Sequence, residues 1–149
     1  MKKLFGRWHF WNYHHIYDQR DGSVYLWRLR IFGCPWFGIM LHRIMGPDFG
    51  RDMHDHPWPF FSIVLLGSYH EEVPSIYYGY GRTQRVSWIN FKRATSLHRI
   101  THCSRKPVWT LVFRGPRVRT WGFETAFGWK SHREYYGMRP WEEDAESLE

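Results

Sequence analysis

The hydrophobic pattern of the chain is a series of short apolar runs separated by turn residues. Residues 60–66 and 108–113 form the strongest runs, and both are rich in β-branched and aromatic side chains, as buried strands are. Residues 24–31 alternate instead, and the more apolar set, which begins with Tyr25 and Trp27, is predicted to face the core. No long stretch has the period of an amphipathic helix, so the pattern predicts an all-β sandwich or barrel. Shorter strands are predicted over 37–44, 68–73, 85–91 and 117–123.

Aromatic side chains make up 20% of the chain, with ten Trp, nine Tyr and eleven Phe residues. Such side chains favour pleated, half-buried surfaces and wide pockets over a helix bundle, which supports the all-β prediction. A length of 149 residues suits one domain with a single core. We therefore expect a β-barrel over residues 21–140, an N-terminal arm or strand over 1–20, and an acidic tail over 141–149 that forms a short helix or stays disordered.

The net charge of the chain is +7, from 21 basic and 14 acidic residues. Proteins that bind nucleic acid or other anions carry such an excess, but so does an ordinary solvated basic surface. Cys34 and Cys103 are too few for a disulfide framework, and neither a signal-peptide pattern nor an apolar run of membrane-spanning length occurs. We expect a soluble, cytoplasmic protein without membrane contacts.

Two histidines precede the strongest apolar run. In an extended strand alternate side chains share a face, so His54 and His56 point the same way, close enough to hold one metal ion, while Asp55 faces the other side. Pro57 cannot donate a backbone hydrogen bond and ends regular pairing after the second imidazole. Gly67 ends the apolar run in a tight turn. The alternative interpretation is a pair of hydrogen-bonded histidines without a metal.

The order His-x-His, apolar strand and glycine resembles the first motif of the cupin superfamily, matched here by His54, His56 and Gly67. Phe60 stands where cupins usually have a glutamate ligand. The resemblance implies a cupin-type jelly-roll β-barrel with an all-histidine site, as in thiol dioxygenases similar to cysteine dioxygenase, which share the His-Asp-His run. The chain also resembles small uncharacterised cupin-like proteins of bacteriophages, in which HDHPW, LHRI, PVWTLVF and RxWGF occur in this order. That second resemblance implies a host-cytoplasmic protein but no activity.

The second cupin motif is matched only at its histidine, His98, which the resemblance makes the third ligand. His102, His42 and His70 are the alternatives. Three neutral imidazoles suit Fe(II), Zn(II), Ni(II) or Cu(II) better than Mg(II) or Ca(II), which prefer oxygen ligands. The dioxygenase resemblance favours Fe(II), and Mn(II) is a further alternative. Three protein ligands leave positions open for substrate, water or O₂, which is typical of catalytic sites, and an all-imidazole set favours an anionic substrate.

Two residues after the apolar run are candidates for catalysis. A two-residue hairpin loop at positions 66–67 would place Phe60, Ser62, Tyr69 and Glu71 on one sheet face, toward the cavity of a cupin. Tyr69 is then either a group that hydrogen-bonds a bound ligand or a core side chain. Glu71 is either a general acid–base catalyst or a surface residue.

Basic side chains on the predicted strands are candidates for substrate recognition. Arg43, Arg93 and Arg99 could pair with a substrate carboxylate, although most arginines on strands point to solvent. The chain has no phosphate-binding loop, dinucleotide-binding glycine pattern, nucleophilic-serine elbow or Cys-x-x-Cys pair. These absences disfavour nucleotide, nicotinamide and serine-nucleophile chemistry.

The residues and the resemblance together lead to one main functional hypothesis. It is a metal-binding cupin with a mononuclear three-histidine site, acting as a non-haem iron dioxygenase-type oxidoreductase on a small anionic substrate. One alternative is a Zn- or Mn-dependent cupin isomerase or hydrolase. Another is a non-catalytic, phage-encoded protein that binds a host macromolecule or nucleic acid. Because cupins often dimerise, the resemblance also suggests a homodimer.

Overall fold

Short antiparallel strands, as the apolar runs predict, make up most of the chain. The computed structural model describes residues 8–17, 22–48, 50–76 and 81–138. The elements in these ranges are β1 (His9–Tyr17), β2 (Val24–Gly33), β3 (Gly38–Ile44), β4 (Met53–His54), β5 (Phe60–Leu66), β6 (Tyr69–Val73), β7 (Arg82–Val86), β8 (Ile89–Lys92), β9 (Arg99–Cys103), β10 (Val108–Arg114), β11 (Gly122–Thr125), β12 (Gly128–Ser131) and the helix α1 (His132–Tyr135).

Hydrogen bonding arranges these strands in three antiparallel sheets. The large sheet has the order β1-β2-β3-β10-β5-β8, and two smaller sheets have the orders β12-β11-β4 and β7-β6-β9. Within the described ranges the sheets are not joined into one continuously hydrogen-bonded barrel. The prediction of a single all-β domain is confirmed, and no helix in these ranges is long and apolar enough to cross a membrane.

Buried side chains join the sheets face to face. Ile44, Val64 and Val108 of the large sheet pack against Tyr69 of β6 and Cys103 of β9. Val108 is fully buried, so this cluster is the centre of the core. Burial of these apolar side chains is the main force that holds the small sheet on the large one.

The predicted hairpin at positions 66–67 is wrong. β5 pairs with β10 and β8, whereas β6 pairs with β7 and β9 in another sheet. Gly67 has a positive φ of 82°, a conformation that glycine adopts without strain, and carries the chain from one sheet to the other. The chain changes sheets because Val64 and Tyr69 bury their side chains in the same core cluster from opposite layers.

Two strand predictions are also wrong in extent. Residues 85–91 do not form one strand, because a bend at Ser87 and Trp88 separates β7 from β8, which lie in different sheets. The predicted strand over 117–123 begins only at Gly122. The segment before it lies against Pro57 instead of pairing in a sheet, and the carbonyl of Pro57 accepts from the backbone N–H of Val118.

The predicted orientation of β2 is wrong as well. Arg28 and Arg30 are buried on the cavity side, paired in register with His42 and Met40, while Trp27 points to the opposite face. Trp27 of the more apolar set faces outward although Tyr25 lines the cavity. Both faces of this sheet carry apolar side chains, so apolarity alone does not identify the core side.

Both ends of the chain were predicted as separate segments. Residues 9–17 form β1, which pairs with β2 and so extends the large sheet, in line with the strand alternative for residues 1–20. The predicted acidic tail over 141–149 lies outside the described residues.

Candidate metal centre

Backbone pairing brings two of the predicted ligands side by side. The N–H of His54 donates to the carbonyl of His98 at 2.9 Å, and the N–H of His98 donates to the carbonyl of His54 at 3.0 Å. Residues directly opposite each other in an antiparallel pair have side chains on the same face. The two imidazole rings are therefore neighbours, with centroids 4.7 Å apart.

The third imidazole reaches the same point by strand alternation. His56 lies two residues after His54 and its ring centroid is 5.1 Å from that of His54. The intervening Asp55 points the opposite way, as predicted, and is 2% exposed. Its carboxylate accepts from the backbone N–H of Gly122 at 2.7 Å and from the indole N–H of Trp129 at 2.9 Å. Asp55 thus fixes the segment that carries both histidines to the β11–β12 hairpin.

The ring nitrogens of His54, His56 and His98 converge, and we call these three residues the histidine cluster. One ligand atom from each lies within 4.8 Å of the others. The Nε2 atoms of His56 and His98 are 2.8 Å apart. Nδ1 of His54 lies 3.8 Å from a carboxylate oxygen of Asp48, and that oxygen accepts from the backbone N–H of Ile100.

A buried carboxylate lies behind His98. Oε2 of Glu71 is 2.7 Å from Nδ1 of His98, and Oε1 is 2.6 Å from the ammonium group of Lys92. Gln84 donates to Oε1 at 2.7 Å, and Asn90 donates to the phenol oxygen of Tyr69 at 3.0 Å. Burial acts to raise the pKa of Glu71, but the hydrogen bonds and charges of His98 and Lys92 outweigh it and hold the pKa at about 2. A carboxylate hydrogen-bonded to one ring nitrogen of a histidine directs the other ring nitrogen, here Nε2 of His98, toward a metal ion.

The other two imidazoles are kept neutral by their surroundings. Burial lowers the pKa of His54 to about 4, although the charge of Asp48 opposes this. Burial and the neighbouring imidazoles His98 and His54 lower the pKa of His56 well below its ordinary value. Neutral imidazole is the form that binds a metal ion.

These features fit a divalent transition metal. The donor set is three imidazoles, one of which has its second ring nitrogen hydrogen-bonded to a carboxylate, a common partner behind a metal-ligating histidine. His56 and His98 bring their Nε2 atoms to hydrogen-bond distance, and the third ring lies against both. Three protein ligands leave coordination positions free for other molecules.

The histidine cluster opens into a cavity of about 780 Å³ between the sheets. This volume suits a small molecule. Tyr69, Ser62 and Phe60 line it, with the Phe60 ring 4.8 Å from that of His56. Phe60 therefore faces inward where cupins usually have glutamate, as the motif comparison predicted. The Glu71 side chain has no exposed surface, so it touches His98 and not the cavity.

Two arginines that sequence analysis placed on the outside line the same cavity. Arg28 and Arg30 are 9% and 5% exposed, and Arg28 donates through Nε to Nε2 of His42 at 3.1 Å. Burial and the charges of both arginines lower the pKa of His42 well below its ordinary value. The sequence contains a pattern that could have identified this cavity wall, because both arginines and His42 are polar residues on the same face of neighbouring strands. Using that pattern requires knowing which face of β2 is turned toward the cavity.

The arginines that were predicted to bind substrate lie elsewhere. Arg43 stacks over Trp109 on the opposite face of the large sheet. Arg99 pairs with Glu72, and Arg93 is exposed. None of the three lines the cavity.

The alternative third ligands are also separated from the histidine cluster. His70 and His102 lie opposite each other on β6 and β9, with ring centroids 5.8 Å apart. His42 lines the cavity but its Nε2 accepts from Arg28. Among the described residues, His98 is the histidine that converges with His54 and His56.

Comparison with known proteins gives structural matches without sequence matches. No protein-family model matches the chain, and no curated protein sequence is significantly similar to it. A cupin-2 domain from Rhodospirillum rubrum is similar in structure, with a TM-score of 0.59 and 10% identity over 79% of this chain and 78% of that one.

Two enzymes with similar structures are larger. HppE in its Fe(II) form aligns with a TM-score of 0.54 and 14% identity over 69% of this chain, which spans 56% of the HppE chain. The E162A mutant of Bacillus subtilis oxalate decarboxylase aligns with a TM-score of 0.55 and 10% identity, covering 94% of this chain and 36% of that one. Because these identities are low, the matches bear on architecture alone. This chain has the cupin fold.

Proposed function

We propose that this protein is a metal-dependent cupin enzyme of the non-haem iron dioxygenase type, acting on a small anionic substrate. The observation that carries the proposal is the convergence of three imidazoles on a cavity that also holds two buried arginines. His54, His56 and His98 would hold one divalent ion, Fe(II) in the first place. Such an ion would supply redox chemistry with O₂.

The arginines support an anionic substrate. A cavity wall with two buried guanidinium groups raises the local positive potential, which favours binding of a carboxylate or thiolate. Arg28 donates through Nε to His42, and this contact fixes the direction of its guanidinium group at the cavity wall. Oxalate decarboxylase, a structural neighbour, is named for a dicarboxylate substrate.

Tyr69 is suited to orienting a substrate by donating a hydrogen bond. Burial and the charge of Glu71 raise the pKa of its phenol, so the group stays protonated at neutral pH. Asn90 donates to the phenol oxygen, and this contact fixes the ring at the cavity wall. As a proton donor in a hydrogen bond, Tyr69 would position an anionic group without taking its proton.

Glu71 is better suited to positioning His98 than to meeting a substrate. Its carboxylate contacts Nδ1 of His98 and the Lys92 ammonium group, and no part of its side chain reaches the surface. The hydrogen bond fixes the tautomer and the ring direction of His98. A role for Glu71 as a proton-transfer residue stays a prediction.

Metal analysis with matched variants tests the proposal. Wild type purified without an affinity tag or chelator, reconstituted anaerobically with Fe(II), is compared with His54→Ala, His98→Ala and the control His102→Ala, which changes an exposed histidine of β9. Elemental analysis by mass spectrometry is expected to give near-stoichiometric iron in wild type and control and a loss of iron in the other two. Wild type that binds neither Fe(II) nor Zn(II) would end the proposal.

A second candidate is a Zn(II)- or Mn(II)-dependent isomerase or hydrolase on the same fold. It is favoured by the donor set, since three imidazoles bind Zn(II) at least as well as Fe(II). Oxygen-uptake measurements with thiol and carboxylate substrates separate the candidates. Turnover without O₂ consumption by the Zn(II) form would favour the second.

A further inference from the structure

One side of the cavity is lined by a group of stacked aromatic rings. Pairing of β11 with β4 places Phe123 directly opposite His54, so the two side chains share a face. Trp121 lies two residues before Phe123 and therefore on the same side. His132 of α1 stacks on Trp121 with ring centroids 4.7 Å apart, and Tyr135 stacks on Phe123 at 3.9 Å. All four of these rings line the cavity, and we call Trp121, Phe123, His132 and Tyr135 the aromatic wall.

Contacts outside the cavity hold the aromatic wall in place. The hydroxyl of Tyr135 donates to a carboxylate oxygen of Asp52 at 3.0 Å, and the backbone N–H of His132 donates to the carbonyl of Trp121 at 3.0 Å. Gly122 allows β11 to pack closely on β12, because a Cβ atom there would collide with the main chain of β12. The wall is therefore a preformed surface, which a ligand can bind without first ordering it.

The aromatic wall and the cavity arginines belong to different sheets. Arg28 and Arg30 lie on β2 of the large sheet, whereas the wall is built on β11 and α1, beside β4. The histidine cluster adjoins the wall, since the ring of His54 is 6.0 Å from that of Phe123 and 6.3 Å from that of Trp121. A ligand that extends through the cavity therefore meets a cationic surface on one layer and an aromatic surface on the other.

The size of the cavity separates a larger substrate from a very small acid. Its volume is about 780 Å³, and clefts of about 300–1,000 Å³ enclose ligands of the size of drugs. An acid as small as oxalate would leave most of the aromatic wall in contact with water, which is unfavourable for apolar surface.

The arrangement of the rings favours an aromatic group over an aliphatic chain. Trp121 and Phe123 are inclined at 52° to each other, so the wall offers ring faces and ring edges together. Aromatic rings attract one another in offset-stacked and edge-to-face arrangements, beyond the effect of the area that they bury.

We propose that the substrate is an aromatic acid, whose carboxylate is bound on the side of the arginines and the histidine cluster while its ring lies against the aromatic wall. The inference rests on the proposed function for the reaction and names the class of substrate. The preference for a ring comes from the wall itself and does not require the metal ion.

Isothermal titration calorimetry with three acids tests the proposal. Phenylpropionate carries an aromatic ring, cyclohexylpropionate carries an aliphatic ring of the same size, and propionate carries none. Each acid is titrated into Zn(II)-loaded and metal-free protein, and Zn(II) is used because it has no redox chemistry.

Variants of the wall and of an unrelated surface accompany the wild type. Trp121→Leu removes a ring of the wall. Tyr136→Leu removes a more exposed ring, 38% exposed, which lines the cavity and lies edge-on to Phe123 at 5.5 Å. Trp36→Leu is the control, since Trp36 is 69% exposed on the β2–β3 turn and does not line the cavity. Circular dichroism and metal content establish that each variant is folded.

We expect wild type and control to bind phenylpropionate about tenfold or more tightly than propionate, because the ring is buried. We expect a preference of about threefold or more for phenylpropionate over cyclohexylpropionate, because of the ring–ring contacts. Trp121→Leu is expected to lose the second preference and to bind propionate as wild type does. If Trp121→Leu fails to fold, Tyr136→Leu carries the test, with a reduced preference as the expected result.

Cyclohexylpropionate that binds wild type as tightly as phenylpropionate would overturn the inference, and so would a preference that is unchanged in the folded wall variants. Zn(II)-loaded protein without a preference for the ring would overturn this inference alone. Protein that binds no metal but keeps the preference would end the proposed function and support the assignment of the ligand class.

Discussion

Replacing the carboxylate behind His98 separates a positioning role from a purely structural one. Glu71→Gln keeps the shape of the side chain but removes the negative charge that accepts from Nδ1 of His98 and pairs with Lys92. Loss of such a partner behind a metal-ligating histidine costs roughly 10–100-fold in metal affinity. That range corresponds to about 1.4–2.7 kcal/mol of binding free energy.

The same change also affects the fold, because it leaves the Lys92 ammonium group buried without its carboxylate. Breaking a buried ion pair by removing one partner typically costs about 3–5 kcal/mol of unfolding free energy. The double variant Glu71→Gln/Lys92→Met removes both charges and is expected to recover much of this stability. Its metal affinity is expected to stay low, since His98 still lacks its charged acceptor.

Competition titration of Co(II) and Zn(II) against a chelator measures the affinity, and the Co(II) absorption spectrum reports ligand geometry independently of activity. Glu72→Gln is the matched control, since Glu72 is the next residue in the same strand and pairs with Arg99, away from the histidine cluster. Metal affinity within about twofold of wild type in the folded single and double variants would refute the positioning role.

The remaining predictions concern the substrate side of the cavity, acid stability, the support of the histidine segment and the basic charge. Arg28→Met is expected to raise the Kd of oxalate, used as a probe anion on Co(II)-loaded protein, about tenfold. This factor corresponds to the loss of one charged hydrogen bond, and Arg43→Met is the control. For the metal-free protein, the free energy of unfolding in urea is expected to fall as the pH drops from 6.5 to 4, because the unfolded chain takes up a proton on His54 that the folded state, with a pKa of about 4, refuses. The effect of this one group is at most about 3 kcal/mol, and a flat profile would contradict it. Asp55→Ala is expected to cost about 2 kcal/mol or more of unfolding free energy, since the buried N–H of Gly122 loses its acceptor, and an unchanged urea midpoint would refute this. Nucleic-acid binding stays a prediction from the net charge, and fluorescence anisotropy with an oligonucleotide at low and high salt tests it.

Local patterns in the sequence were sufficient for the strands that are apolar throughout. β5 has the predicted bounds, and β10 differs by one residue. These strands could be predicted because a continuous run of apolar residues by itself indicates a buried strand. The shared face of His54 and His56 follows from strand alternation alone. The orientation of β2 could not be obtained in this way. Its partner strands β1 and β3 carry apolar side chains on both faces of the sheet, so either face could have been the buried one.

Contacts between segments distant in the sequence account for the rest. The backbone pairing of His54 with His98 joins two short segments whose own sequences do not specify it. The pairing of Glu71 with Lys92 depends on the packing of β6 against β8 from another sheet, which the predicted hairpin excluded. Such contacts depend on the tertiary arrangement. The sequence therefore identified Glu71 as a candidate residue but not its contacts with Lys92 and His98.

The two backbone hydrogen bonds between His54 and His98 fix the distance between their imidazole rings through the main chain. The third imidazole follows by alternation, so three side chains at the ends of two paired segments define the whole donor set. Nothing in this arrangement depends on the rest of the barrel except the groups that keep the segments in place. A protein designer could therefore transplant this unit, two paired residues and a neighbour two positions on, into another antiparallel strand pair that faces a cavity.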